Sequence, residues 1–169
     1  YSELALASGP QAALAINVLG VLAFKKGKRD VAEGYFRKAI ELDPGLGESY
    51  TNLGSLRWAA GETEAAMKLF ERGFILSPTI NDVATAYHTA VVETKSFEKA
   101  EAVFREARAL HPNHKRITFL TIALLLQQEK HEPAMQEIEN TMLRFGIDDD
   151  ILSACLEVRK RIGVLKIVK

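Results

Sequence analysis

Apolar residues along the chain return at helical rather than strand spacing. Between Asp30 and Leu42 they fall at Val31, Tyr35, Phe36, Ile40 and Leu42, which is the spacing of a 3.6-residue helix. Asp30 with Glu33 has the spacing of a capping box, and Thr63 and Ser96 stand where each can cap the helix that follows. Asp43-Pro44 and Ser77-Pro78 close such segments, because the residue before a proline is driven out of the α region. Gly27 and Gly61 read as turns between helices, and Glu93-Thr94-Lys95-Ser96 as the matching turn without glycine. The longest apolar run, Ile117 to Leu126, has ten residues. That is half of the roughly twenty a bilayer requires, so it reads as a buried helix with no membrane insertion.

The pattern repeats. Pro10, Pro44, Pro78 and Pro112 are spaced 34 residues apart, and the next step lands on Gly146, another helix breaker. Ala32, Ala66, Ala100 and Ala134 keep the same beat. So do Phe36, Phe70, Phe104 and Ile138, and Ala39, Gly73, Ala107 and Thr141. Leu19-Gly20 returns as Leu53-Gly54. Four units follow, 13–46, 47–80, 81–114 and 115–148, each two helices long. The turn glycines become Lys95 and Glu129 in the later copies.

The residue types have a packing reason. Two antiparallel helices approach closely only where side chains are small, and Gly20 with Ala32, or Gly54 with Ala66, provide that crossing. The phenylalanines then fill the space toward the next unit. One pair cannot cover its own apolar face, so stacked pairs share a core. Outside the four units, Ser2 to Ala7 reads as the end of a second helix, as in a chain cut from a longer array or one that begins with a lone half-repeat. Residues 149–162 read as a helix that caps unit four, with Asp148 to Asp150 at its N-terminus. Residues 163–169 read as a tail.

Composition narrows the function more than the fold. The 169 residues carry 22 Lys and Arg against 22 Asp and Glu, which argues against a nucleic-acid partner. The single cysteine, Cys155, cannot form an internal disulfide and favours a reducing, cytoplasmic setting over the alternative of a cysteine-poor exported protein. No catalytic, cofactor or metal site emerges. His111 and His114 share a loop without a third ligand, Asp148 to Asp150 do not converge on one helix face, and no phosphate loop or nucleophile elbow is present. His88 falls where helices cross and reads as a packing residue. The basic residues Arg159, Lys160 and Arg161 read as a solvated helix end.

The 34-residue pattern resembles the tetratricopeptide repeat family. Its motif is an aromatic, Leu-Gly, then small, aromatic, small and proline. Unit two carries it as Tyr50, Leu53-Gly54, Ala66, Phe70, Gly73 and Pro78. Unit one has Ile16 at the first aromatic place. Unit three departs at His88, and unit four at Ile122, Ile138 and Gly146. The resemblance implies an all-α, right-handed superhelical solenoid of antiparallel helix pairs, whose first helices line a concave groove that holds protein segments.

Carried onto this chain, the inward positions are Asn17, Val21, Phe24 and Lys25 in unit one, and Arg116, Phe119, Ala123 and Leu126 in unit four. They are Glu48, Thr51, Asn52, Ser55 and Trp58 in unit two, and Asp82, Thr85, Thr89 and Val92 in unit three. Such a lining suits a protein or extended peptide, with Trp58 as the expected hot spot. Two ligand schemes of the family do not fit. Members that bind acidic chaperone tails use a clamp of Lys, Arg and Asn. Only Asn52 fits it, while Asn17, Val21, Asp82 and Ala86 depart and Asp82 repels a carboxylate. The asparagine ladder of the sugar-transferring relatives reads Val18, Asn52, Ala86 and Leu120, a single rung.

In unit four Phe119, Leu120 and Leu126 leave the first helix apolar nearly all round. Either the 149–162 helix covers it, or it is an assembly surface of a homo-oligomer. The expectation is therefore a non-enzymatic protein-interaction scaffold. Its alternatives are a regulatory or targeting array attached to an enzyme such as a glycosyltransferase in a longer chain, or a self-assembling oligomer.

Overall fold

The computed structural model describes residues 9–167, and among these every regular element is an α-helix. The helices are α1 Pro10–Lys25, α2 Arg29–Leu42, α3 Gly47–Ala59, α4 Thr63–Leu76, α5 Asn81–Thr94, α6 Phe97–Leu110, α7 Lys115–Gln127, α8 His131–Phe145 and α9 Asp149–Ile167. The expected second-helix tail at Ser2 to Ala7 lies outside the described residues. By compactness the chain divides into an N-terminal part, Tyr1–Glu93, and a C-terminal part, Thr94–Lys169, with the boundary inside the third 34-residue segment.

In the N-terminal part, α1 packs on α2 and α3 on α4. Glycine sets how closely they approach. A Cβ on Gly20 would stand 2.5 Å from the Phe36 ring, and one on Gly54 would stand 2.8 Å from the Phe70 ring. Each phenylalanine therefore presses on the opposite backbone, and each is buried. Leu53 and Leu56 of α3 then close over Ala23, Ala32 and Phe36, so the second pair completes the core of the first. The Phe74 and Tyr87 rings, 5.2 Å apart, join α4 to α5. Burial pushes the Tyr87 phenol well above its usual range, and Glu71 adds to that.

The turns confirm one reading and sharpen another. Gly27 and Gly61 take positive φ, 74° and 80°, as a tight turn between helices requires. Lys95 and Glu129 adopt the same left-handed backbone at φ 55° and 58° without glycine's freedom. Each costs about 1 kcal/mol or more.

In the C-terminal part α7 and α8 pack around Ile122, Ala134 and Ile138, and α9 closes over them with Ile151, Cys155 and Val158. Asp148 starts α9: its Oδ1 accepts from the Ile151 N–H at 3.0 Å, and its other oxygen pairs with Lys115 at the start of α7. Lys115 and this N–H hold the Asp148 carboxyl below its ordinary value.

Two expectations change. The last helix runs through Ile167 rather than stopping at 162. Gly163 lowers helix propensity by about 1 kcal/mol but breaks nothing when no proline follows. The capping box at Asp30 and the caps at Thr63 and Ser96 are not formed. The helix over Asp30 begins at Arg29 with Lys28 before it, and Thr63 lies inside its helix behind Glu62. Ser96 does precede its helix, yet its hydroxyl meets Thr94 at 2.8 Å instead of a helix N–H. Tertiary packing, more than local caps, decides these boundaries.

Candidate functional site

The first helices of repeats one and two meet through a polar contact. Oδ1 of Asn17 on α1 accepts from the Asn52 amide at 2.9 Å and from the Ser49 hydroxyl at 3.2 Å, both on α3. Asn17 and Ser49 are buried, while Asn52 stays half-buried. The side chain of Asn17 therefore locks one repeat to the next, which fixes the relative placement of everything α1 and α3 present.

Further along, α3 and α5 frame a cleft of about 240 Å³ lined by Ser55, Trp58, Phe70, Ala86, Thr89 and Ala90. The Trp58 indole lies over Phe70 with ring centroids 6.0 Å apart and the planes tilted by 50°. One face of Trp58 thus packs inside its own helix pair, and its half-buried remainder forms the cleft wall. The Ser55 hydroxyl donates to the Thr51 carbonyl at 3.0 Å, which turns it along its own helix.

The expected lining residues separate on this frame. Asp82, Thr85 and Thr89 are exposed along one face of α5. Val21, Phe24, Glu48, Asn52, Ser55, Trp58 and Val92 are half-buried. Thr51 is a correction. It is buried, its hydroxyl donates to the Gly47 carbonyl at 3.1 Å, and its Oγ1 fills the space beside Gly73. It packs α3 onto α4 because its place on α3 turns it toward Gly73, where the two helices cross. Asn17 is a second correction, since it is buried with its carbonyl already engaged. Ala90 and Phe70 join the lining without standing among the inward positions that the resemblance supplies. A signal for them exists in the column Leu22, Leu56, Ala90, Leu124, where one alanine stands among leucines.

On α3 and α5 the starts of the helices are acidic, while α1 ends in the exposed Lys25. Glu48 begins α3, with its carboxylate 3.3 Å from the Ser77 hydroxyl that donates to it. Asp82 begins α5, which contains Glu93 but neither Lys nor Arg. The one cation of α3, Arg57, is taken by Glu33 and by Glu62.

In unit four, where the sequence offered cover by the last helix or an assembly surface, Phe119 and Leu126 are half-buried against the core that α9 closes, and Leu120 is half-buried.

Elsewhere, His88 is half-buried, and its Nε2 finds no hydrogen-bond partner among the described residues. Burial lowers its pKa. Cys155 is a buried free thiol. The rings of His111 and His114 lie 6.1 Å apart. Among the described residues no group of three His, Cys, Asp or Glu is placed to hold a metal ion. No helix among them is long and apolar enough to cross a membrane.

Family comparison agrees with the 34-residue beat. Residues 13–46, 47–79 and 90–150 each match a tetratricopeptide repeat family, and together they span more than half of the chain. No curated protein is a match. Among solved structures, pilF of Pseudomonas aeruginosa is similar, with a TM-score of 0.56 at 21% identity over 91% of this chain and 71% of that one. A thermophilic TPR protein of Thermus thermophilus gives a TM-score of 0.51 at 17% identity, over 91% of this chain and 84% of that one. The first TPR of Spaghetti, bound to the HSP90 peptide SRMEEVD, gives 0.50 at 21% identity, over 72% of this chain and 98% of that one. At these identities the likeness is one of fold.

Proposed function

The chain belongs to the tetratricopeptide repeat family, and we propose that it is a protein-interaction scaffold whose first-helix face in the N-terminal part binds an extended protein segment. The observation that carries this reading is the cleft between α3 and α5, with Trp58 as its wall and exposed Thr85 and Thr89 beside it. An aromatic wall, small alanines and hydroxyls together suit a segment that lays an apolar side chain down and hydrogen-bonds alongside. The Asn17–Asn52 contact holds part of that face before any ligand arrives, which reduces the entropy lost on binding. The ligand of the Spaghetti structure, a peptide, supports the same ligand class. Its acidic sequence does not carry over, because Asp82 and Glu48 oppose it. The reading assigns no catalytic step, and a reducing, cytoplasmic setting follows only from the lone Cys155.

The test is selection of displayed random peptides on the immobilised protein, followed by hydrogen-exchange footprinting of the complex. Protection along α3 and α5 is expected. Selected peptides that protect only α2 and α4 would overturn the assignment.

A further inference from the structure

We propose that the Trp58 cleft is a socket for one aliphatic side chain of a cationic extended segment. This rests on the first-helix face of the N-terminal part being the binding surface. The repeat supplies the comparison. In the first step of the array, Leu56 projects from α3 into the space beside Phe36 and Ala32 and is only 6% exposed. One step later the same place is Ala90, with Phe70 in the role of Phe36. Leucine has become alanine, three carbons shorter, and a cleft of about 240 Å³ opens at that place. A guest leucine, isoleucine or methionine there would take the place that Leu56 holds from within the chain.

Charge selects the rest of the segment. Glu48 and Asp82 stand at the N-terminal ends of α3 and α5, and Arg57 is already paired. From Asp82 to Thr89 is seven residues of helix, about 10 Å, which an extended chain covers in about three residues. A Lys or Arg about three residues from the aliphatic side chain would therefore reach Asp82, while a carboxylate there would be repelled.

The experiment uses capped nine-residue peptides of Gly and Ser, with one Leu and one Lys three residues apart, titrated to millimolar concentration. Trp58, the only tryptophan, reports through its fluorescence. The Leu-Lys peptide should shift the emission saturably. Leu→Ser in the peptide should weaken binding about tenfold or more. Lys→Glu, or Asp82→Lys in the protein, should weaken it about threefold at low salt. Ala90→Leu, and Ala86→Leu as a half-exposed second choice, should abolish it with the helix content retained. Equal binding of the Leu and Ser peptides, or wild-type binding by both filled variants, would overturn the socket. Emission that shifts with protein concentration alone, alongside a dimer in light scattering, would put a second copy in the cleft and overturn it too. Display-selected peptides that protect α3 and α5 yet ignore Ala90→Leu would sink the socket and leave the binding surface standing. Selected peptides that leave α3 and α5 unprotected would sink both.

Discussion

Asn52 donates its side-chain amide to the carbonyl of Asn17 across 2.9 Å, joining residues one repeat apart. Ser49 donates to the same oxygen. This buried acceptor is the polar tie between α1 and α3, beside the apolar packing of Leu53 and Leu56.

Removing it should cost more than an ordinary surface contact. Asn17→Ala leaves the buried Ser49 hydroxyl and the half-buried Asn52 amide without their acceptor. Unfolding in urea should show a loss of about 1–3 kcal/mol. An unchanged midpoint would mean that water replaces the contact.

Two glycine substitutions should move stability in opposite directions. A Cβ on Gly73 would collide with Thr51 Oγ1 and lie 2.8 Å from the Gly47 carbonyl oxygen, so the backbone must shift. Gly73→Ala should cost about 1–3 kcal/mol. Gly34 lies within α2 and has nothing within 4 Å of where its Cβ would be. Gly34→Ala should therefore stabilise by about 0.5–1 kcal/mol. Thermal melts of both variants check the pair.

The cover supplied by α9 should be energetic as well as geometric. Ile151 is 1% exposed in the core shared with Ile122 and Ile138. Ile151→Ala should lower stability by about 2–5 kcal/mol. A chain ending at Asp148 should expose Phe119 and Leu126 and self-associate in light scattering.

Acidification should weaken the fold before the carboxylates titrate. Burial lowers the pKa of His88 below its ordinary 6.5, so the folded state prefers the neutral ring. Between that lowered value and 6.5 the unfolded chain binds more protons, so stability rises with pH there. The contribution is complete above 6.5 and is lost as pH falls through the folded-state pKa. His88→Gln should flatten this part of the profile, measured by urea midpoints from about pH 7 to about pH 5.

Much of the fold was legible because close packing repeats. Gly20 and Gly54 had to be small, and both lie against phenylalanine rings; Ala32 and Ala66 keep the same beat and are buried. The extent of α9 was not, because a lone Gly163 is a weak stop. Nor were the caps, because Asp30 and Thr63 fall inside helices whose starts packing, not a side-chain cap, decides. For the candidate site, family position identified the faces but not side-chain reach. Thr51 faces the crossing with Gly73 and Asn17 faces Ser49 and Asn52, so both are used up in packing, whereas Trp58 packs on Phe70 and still forms a wall. The cleft itself depends on Ala90 interrupting a column of leucines, a deviation that matters only once α3 and α5 are side by side.

The measurement that tests the central claim most directly is the affinity of a display-selected peptide for wild-type protein and for Trp58→Ala, by calorimetry. Circular dichroism should show that the helices persist, and Trp58→Leu preserves part of the contact with Phe70. A loss of about 1 kcal/mol or more is predicted for Trp58→Ala. Unchanged affinity in a folded variant would contradict the assignment of this face as the binding surface.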